Sequence, residues 1–175
     1  MKAHGIDNLP KEGSFILASN HISYLDPMAL PMVCPRKLSF MVRDSLLEKP
    51  LLGWFLKSLG CFSVKRGSAD VRAIRTVLDK LESGMPVLLF PQGSRHKDQQ
   101  SVKAGVGFLA VKSAKPVVPV FVKGTDRILP TKAKWPRHGV IDVYFGLPIM
   151  PQVDEDIQEF SDRVLQNIFA LNPQK

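Results

Sequence analysis

The chain has 175 residues, 45% hydrophobic and 23% charged, which suits one globular domain able to bury a real core. Its 24 lysines and arginines exceed its 16 acidic residues, and the net charge of +8 favours anionic partners: phosphate-bearing small molecules, acidic lipid headgroups or nucleic acid. No stretch approaches the ~18 uninterrupted apolar residues of a membrane span. The opening M-K-A-H-G-I-D-N-L-P-K-E-G holds no signal-peptide core, and Cys34 and Cys61 lack metal-ligand or redox-pair spacing, so export is not expected and both thiols are expected to be reduced.

In chain order, S-F-I-L-A-S (14–19) is a continuous apolar run that reads as a buried strand. The turn N-H-I-S-Y-L-D-P follows, and D-P-M-A-L-P-M starts a short helix with Pro27 near its first turn. L-S-F-M-V (38–42) reads as a second strand. The apolar segment L-L-E-K-P-L-L-G-W-F-L-K-S-L-G (46–60) reads as helix interrupted by Pro50, before a short strand C-F-S-V (61–64). Ser68 is placed to cap the next helix, with Val71, Ile74, Leu78 and Leu81 at helical spacing and Gly84 as its stop.

M-P-V-L-L-F (85–90) reads as a strand. A-G-V-G-F-L-A-V-K-S (104–113) reads as a helix whose two glycines allow something to approach its backbone closely. P-V-V-P-V-F-V (116–122) is another strand, and I-D-V-Y-F (141–145) alternates like a strand at a sheet edge. A last helix carries Ile157, Phe160, Val164, Leu165 and Ile168 as one core stripe. The expected fold class is therefore α/β, a mostly parallel sheet flanked by helices, as one domain over residues 1–175.

Four polar loops follow strands: N-H-I-S-Y-L-D, K-R-G after Val64, P-Q-G-S-R after Phe90 and K-G-T-D-R after Val122. Ligands in such folds gather at the carboxyl ends of strands, so the four loops predict one shared site. His21 is the general-base candidate, because imidazole titrates near neutrality, and Asp26 is the carboxylate that would orient it. The two stand five positions apart, an offset that on a regular helix turns about 140° past a full circle, so contact requires an irregular turn. His4, His96 and His138 have no comparable setting and read as surface residues.

Ser23 and Ser94 are available hydroxyls, but no G-x-S-x-G elbow supports a serine nucleophile, and no ligand spacing supports a metal. A base without a protein nucleophile points to direct activation of a substrate hydroxyl. Gly93 lets a ligand approach the backbone, Arg95 offers a fork for phosphate, and Arg66 and Lys103 add positive charge. The Walker phosphate-loop spacing is missing. Nucleic-acid binding rests on charge alone, without a recognisable motif or stacking arrangement.

Together these loops resemble the sequence blocks of the glycerolipid acyltransferases, the family typified by 1-acylglycerol-3-phosphate acyltransferase. N-H-I-S-Y-L-D (20–26) is similar to N-H-x-S-x-x-D, G-C-F-S-V-K-R-G (60–67) to the second block, F-P-Q-G-S-R (90–95) to F-P-E-G-T-R and V-V-P-V-F-V-K-G (117–124) to the fourth. The blocks stand in the family's order, and the similarity runs from about Gly5 to Pro148. The resemblance implies the acyltransferase fold and transfer of a fatty acyl group from acyl-CoA or acyl-carrier protein to a lysophospholipid hydroxyl, in phospholipid biosynthesis. It makes His21 the base and Asp26 its orienting partner, and it places Arg66, Gln92, Gly93, Ser94, Arg95 and Lys103 in substrate binding, with Pro119 shaping the fourth block.

No cofactor is implied beyond the acyl donor, which is a substrate. Two departures stand out: Gln92 occupies a position usually held by Glu, and Lys65 one that is often acidic or neutral. The implied partners are an acyl thioester, a lysolipid and an anionic membrane surface, and no nucleic acid. The expected location is peripheral, on the cytoplasmic side of a membrane; segment 46–60, with Trp54, suits either docking at the interface or packing as a core helix. A catalytically silent lipid-binding protein of the same fold is the alternative.

Overall fold

The computed structural model describes residues 1–58, 60–64, 71–92, 100–130, 135 and 137–173. The strands are β1 (Lys2–His4), β2 (Ile16–Ser19), β3 (Ser39–Arg43), β4 (Cys61–Val64), β5 (Val87–Leu89), β6 (Val117–Lys123) and β7 (Asp142–Phe145). The helices are α1 (Asp26–Val33), α2 (Asp44–Leu47), α3 (Pro50–Ser58), α4 (Val71–Glu82), α5 (Gln100–Ser113), the single turn α6 (Thr125–Ile128) and α7 (Ile157–Ala170). Among the described residues the strands form one sheet in the order β1-β7-β6-β2-β5-β3-β4. Every pairing is parallel except β6 with β7.

Period-two alternation divides each central strand between two cores. Leu17, Leu88, Val118, Val120 and Val122 face one, with Ala29 and Leu30 of α1 and Leu56 of α3. Ile16, Ala18, Val87, Leu89, Val117 and Phe121 face the other, with α4, α5 and α7. The result is a helix–sheet–helix sandwich, and the α/β expectation holds.

The connections position the site. The chain leaves β2 toward α1 on one face, and leaves its neighbour β5 toward α5 on the opposite face. Two adjacent parallel strands whose loops diverge open a crevice between their carboxyl ends. His21 follows β2, and Gln92 follows β5.

Several sequence expectations change in detail. I-D-V-Y-F is not an edge strand: β1 pairs with β7 and forms the edge. That strand was missed because K-A-H is three exposed residues with no apolar pattern. In α4 the buried positions are Ala73, Val77 and Leu81, while Val71 is exposed. Pro50 begins α3 instead of interrupting a longer helix, as a residue without an N–H does comfortably at a first turn. Ser68, the expected cap of α4, lies outside the described residues.

Of the two α5 glycines, Gly107 receives the close approach. A Cβ there would run into the Ile157 carbonyl and the Ser161 hydroxyl of α7, and the Ser161 Oγ accepts the Gly107 N–H at 3.0 Å. Cys34 and Cys61 are both free and buried; burial pushes the Cys61 thiol up to about 11 and raises that of Cys34.

Candidate active site

β2 ends at Ser19, and the next residue continues its ladder by side chain. The Asn20 amide donates to the Val122 carbonyl at 2.9 Å and accepts the Val122 N–H at 2.7 Å. Asn20 thereby satisfies the last inner positions of β6, and the main chain of residues 21–25 is free to turn. That turn brings together the pair that a regular helix would separate.

His21 Nδ1 lies 2.8 Å from Asp26 Oδ2. The same oxygen accepts the backbone N–H groups of Ile22 and Ser23, each at 2.7 Å. Asp26 Oδ1 accepts the Thr125 hydroxyl at 2.6 Å. The Asp26 side chain is fully buried, and four donors balance the cost of holding a carboxylate there. Because a carboxylate only accepts, His21 carries its proton on Nδ1, and Nε2 presents a lone pair. No described residue hydrogen-bonds to that nitrogen.

The imidazole is fixed from a second side by Phe90, whose ring stacks on it with centroids 4.3 Å apart. Its backbone is fixed from the turn after β5, where Gln92 Oε1 accepts the His21 N–H at 3.3 Å. The side chain keeps 16% of its surface, so it is largely but not wholly buried. Ser23 is not a nucleophile candidate here: its hydroxyl donates to the Leu129 carbonyl at 3.0 Å and accepts the Leu25 N–H at 3.3 Å. A cavity of about 260 Å³ lies beside the turn, lined by Asn20, Ile22, Phe121, Lys123, Arg127 and Phe169 among others. Neither His21 nor Asp26 lines it.

Of the residues singled out in the sequence, the structure brings His21, Asp26 and Gln92 together. Arg66, Gly93, Ser94 and Arg95 lie outside the described residues, as does the side chain of Lys103. The ends of β4 and β5, from which the second and third blocks continue, lie at the same end of the parallel sheet as the end of β2. Sequence reasoning gave no role to Asn20, Phe90 or Thr125. Each stands inside or just after a quoted block, and their signal was an Asn, an aromatic and a Thr directly at strand ends.

The arrangement can do one kind of chemistry well. A held imidazole with a free lone pair, backed by a buried carboxylate, removes a proton from an approaching hydroxyl.

Comparison with known proteins agrees. The family model described as Acyltransferase matches residues 1–123. The chain is 30% identical over 151 residues to the chloroplastic 1-acyl-sn-glycerol-3-phosphate acyltransferase LPAT1 of Arabidopsis thaliana, covering 83% of this chain and 42% of that one. It is 28% identical over 125 residues to the 1-acyl-sn-glycerol-3-phosphate acyltransferase of Bacillus subtilis, covering 71% of this chain and 63% of that one. The chain thus spans about half the length of these curated relatives.

The crystal structure of the 1-acyl-sn-glycerophosphate acyltransferase PlsC from Thermotoga maritima superposes with a TM-score of 0.84 at 26% identity. That match covers 99% of this chain and 71% of the other. With the His–Asp turn at the crevice of the sheet and a family match over most of its length, the chain belongs to the acyltransferase family.

Proposed function

We propose that this protein is an O-acyltransferase that moves a fatty acyl group from a thioester, acyl-CoA or acyl-carrier protein, to the hydroxyl of a lysophospholipid such as 1-acylglycerol-3-phosphate. The observation that carries the reading is the 2.8 Å His21–Asp26 contact, which takes up Nδ1 and leaves Nε2 without a partner among the described residues, on a side chain that keeps 16% of its surface. His21 Nε2 takes the acceptor's hydroxyl proton as its oxygen attacks the thioester carbonyl. The C–O bond forms, the oxyanion collapses, the C–S bond breaks, and the imidazolium returns its proton to the leaving thiolate. Asp26 holds the ring and stabilises the imidazolium between the two transfers. No resident cofactor enters this sequence, since the thioester is itself a substrate.

The acceptor is a lipid, so the protein has to reach a bilayer. No helix among the described residues is long and apolar enough to cross one. A peripheral location on the cytoplasmic face fits the exposed apolar side chains on the α1–α3 side of the sheet. Tyr24, Met28 and Met32 point outward at four-residue spacing, and Leu51 and Trp54 of α3 are 87% and 74% exposed. Segment 46–60 also contributes Leu56 to the core, so its two faces differ in role. The parallel connections run α1 and α3 back from the carboxyl end of the sheet, which puts Tyr24, Leu51 and Trp54 toward the His21 end.

The deciding assay supplies labelled acyl-CoA or acyl-carrier protein with a panel of lysolipids, 1-acylglycerol-3-phosphate among them. Transfer by the wild type and its loss in His21→Ala are expected. Turnover that survives His21→Ala overturns the assigned base. Lipid binding with no turnover on any donor supports the silent alternative instead.

A further inference from the structure

We propose that Thr125 is a positioning residue of the acyl-transfer centre, fixing the rotation of the Asp26 carboxylate so that Oδ2 alone faces the imidazole; the catalytic part of this inference rests on the acyl-transfer reading. A carboxylate has two oxygens and can swing about its own axis, presenting either one. Among the described residues the two oxygens carry different loads: Oδ2 accepts His21 Nδ1, Ile22 N and Ser23 N, and Oδ1 accepts the Thr125 hydroxyl alone. The Thr125 bond, at 2.6 Å, is therefore the contact that distinguishes the far oxygen.

Thr125 is built for the task. It is fully buried, so no water competes for its hydroxyl, and its branched Cβ restricts the rotamers that the hydroxyl can take. Its backbone is placed by Gly124, which leaves β6 in the left-handed region at φ +92°. A Cβ at Gly124 would collide with the Val140 carbonyl, so the turn that sets Thr125 beneath Asp26 demands glycine. The height of that turn is in turn set by Asn20, whose amide grips Val122 two residues earlier in β6. The residue just after the fourth sequence block thus closes on the first through a fully buried hydroxyl. Its loss leaves the carboxylate held through Oδ2 alone, without the donor that fixes Oδ1.

The test compares wild type with Thr125→Val, which keeps shape and drops the hydroxyl, and Thr125→Ser, which restores the donor. Misplacement of a catalytic group by a fraction of an ångström to 1 Å costs up to about 100-fold, so kcat of Thr125→Val is expected to fall roughly 10- to 100-fold. KM for both substrates should stay within about twofold, and Thr125→Ser should recover most of kcat. In parallel, proton NMR of protein carrying nitrogen-15 histidine follows the His21 Nδ1–H resonance. That signal is expected in wild type and Thr125→Ser, and shifted or lost by exchange in Thr125→Val.

Wild-type kcat in Thr125→Val, or a serine variant as slow as the valine variant, overturns the proposal. If wild type transfers no acyl group, the function reading fails separately, and the resonance still decides: an unchanged signal in Thr125→Val rules Thr125 out, and an altered one upholds its hold on the pair. Should Thr125→Val not fold, Thr125→Ala carries the same expectations.

Discussion

Asn20 and Val122 exchange two hydrogen bonds, with the side-chain amide of one residue standing in for a strand beside the backbone of the other. The last backbone pairing of β2 with β6 is Ser19 with Val120, so this amide extends the ladder just where the main chain must leave it. Removing the amide strands a buried N–H and a buried carbonyl. Each costs about 1–3 kcal/mol, so Asn20→Ala is expected to lose roughly 2–5 kcal/mol in urea titration. Asn20→Asp keeps the acceptor and loses the donor, and should fall between the two. A loss below 1 kcal/mol in Asn20→Ala would mean that the turn keeps its shape by other contacts.

Asp26 separates structure from catalysis by choice of substitution. Asp26→Ala leaves a Thr125 hydroxyl, two backbone N–H groups and an imidazole N–H facing a void, and a loss of about 3–5 kcal/mol is expected. Asp26→Asn can keep its oxygen toward His21, Ile22 and Ser23 and turn its NH₂ toward Thr125, whose hydroxyl rotates to accept. The asparagine variant should therefore fold nearly as well as wild type. It should still lose roughly 10²–10⁴ in kcat, since no charge remains to stabilise the imidazolium. Equal activity of Asp26→Asn and wild type would remove the carboxylate from the mechanism.

Much of this was readable in the sequence. The alternation of apolar runs with helical stripes gave the parallel sheet, because burial on both faces makes such strands continuously hydrophobic. His21 and Asp26 were legible as a pair from residue type and from the neighbouring blocks. The three donors that complete Asp26 were not. Ile22 N and Ser23 N are backbone groups, which carry no letter, and Thr125 comes from a loop 99 residues away in sequence. β1 was hidden for a related reason: an edge strand of three exposed residues is held by backbone bonds to β7, and its side chains show no pattern.

Gln92 offers a test of acceptor preference. Its Oε1 accepts the His21 N–H, a duty that a glutamate oxygen performs equally well. Gln92→Glu should therefore preserve thermal stability to within a few degrees. On the family resemblance it should also raise activity toward 1-acylglycerol-3-phosphate relative to other lysolipids. An unchanged ratio of kcat/KM values across the lysolipid panel would make the amide incidental to specificity.

Leu51 and Trp54 project from α3 without packing against the core, so their substitution separates docking from folding. Leu51→Glu and Trp54→Ala should leave the unfolding temperature within about 2 °C, since exposed positions rarely change stability by more than ~0.5 kcal/mol. Sedimentation with vesicles containing anionic lipid should fall several-fold in each, and further in the double variant. Undiminished sedimentation would remove α3 from the proposed membrane contact, and no sedimentation of the wild type would remove the contact itself.

Glu155 supplies a pH-dependent anchor at the start of α7. Arg163 forks onto it, Nε to Oε1 at 2.7 Å and Nη2 to Oε2 at 2.6 Å, and the Gln152 N–H adds a third bond at 2.8 Å. The Arg163 hydrogen bonds hold the Glu155 carboxyl below its usual range, against the opposing effect of burial. A carboxyl depressed in the folded state stabilises the fold above its unfolded value, near 4.3, and that contribution disappears as pH falls through the folded value. Glu155→Gln is expected to cost up to about 1 kcal/mol at pH 7, or roughly 2–4 °C in Tm. The gap to wild type should narrow steadily below pH 4, because the wild-type carboxyl is then neutral as well. Arg163 stays partly anchored in the variant through the Met150 carbonyl at 2.8 Å and the face of Phe160, so the loss remains small. Melting curves that keep the same gap at pH 7 and pH 3 would assign the effect to packing instead of charge.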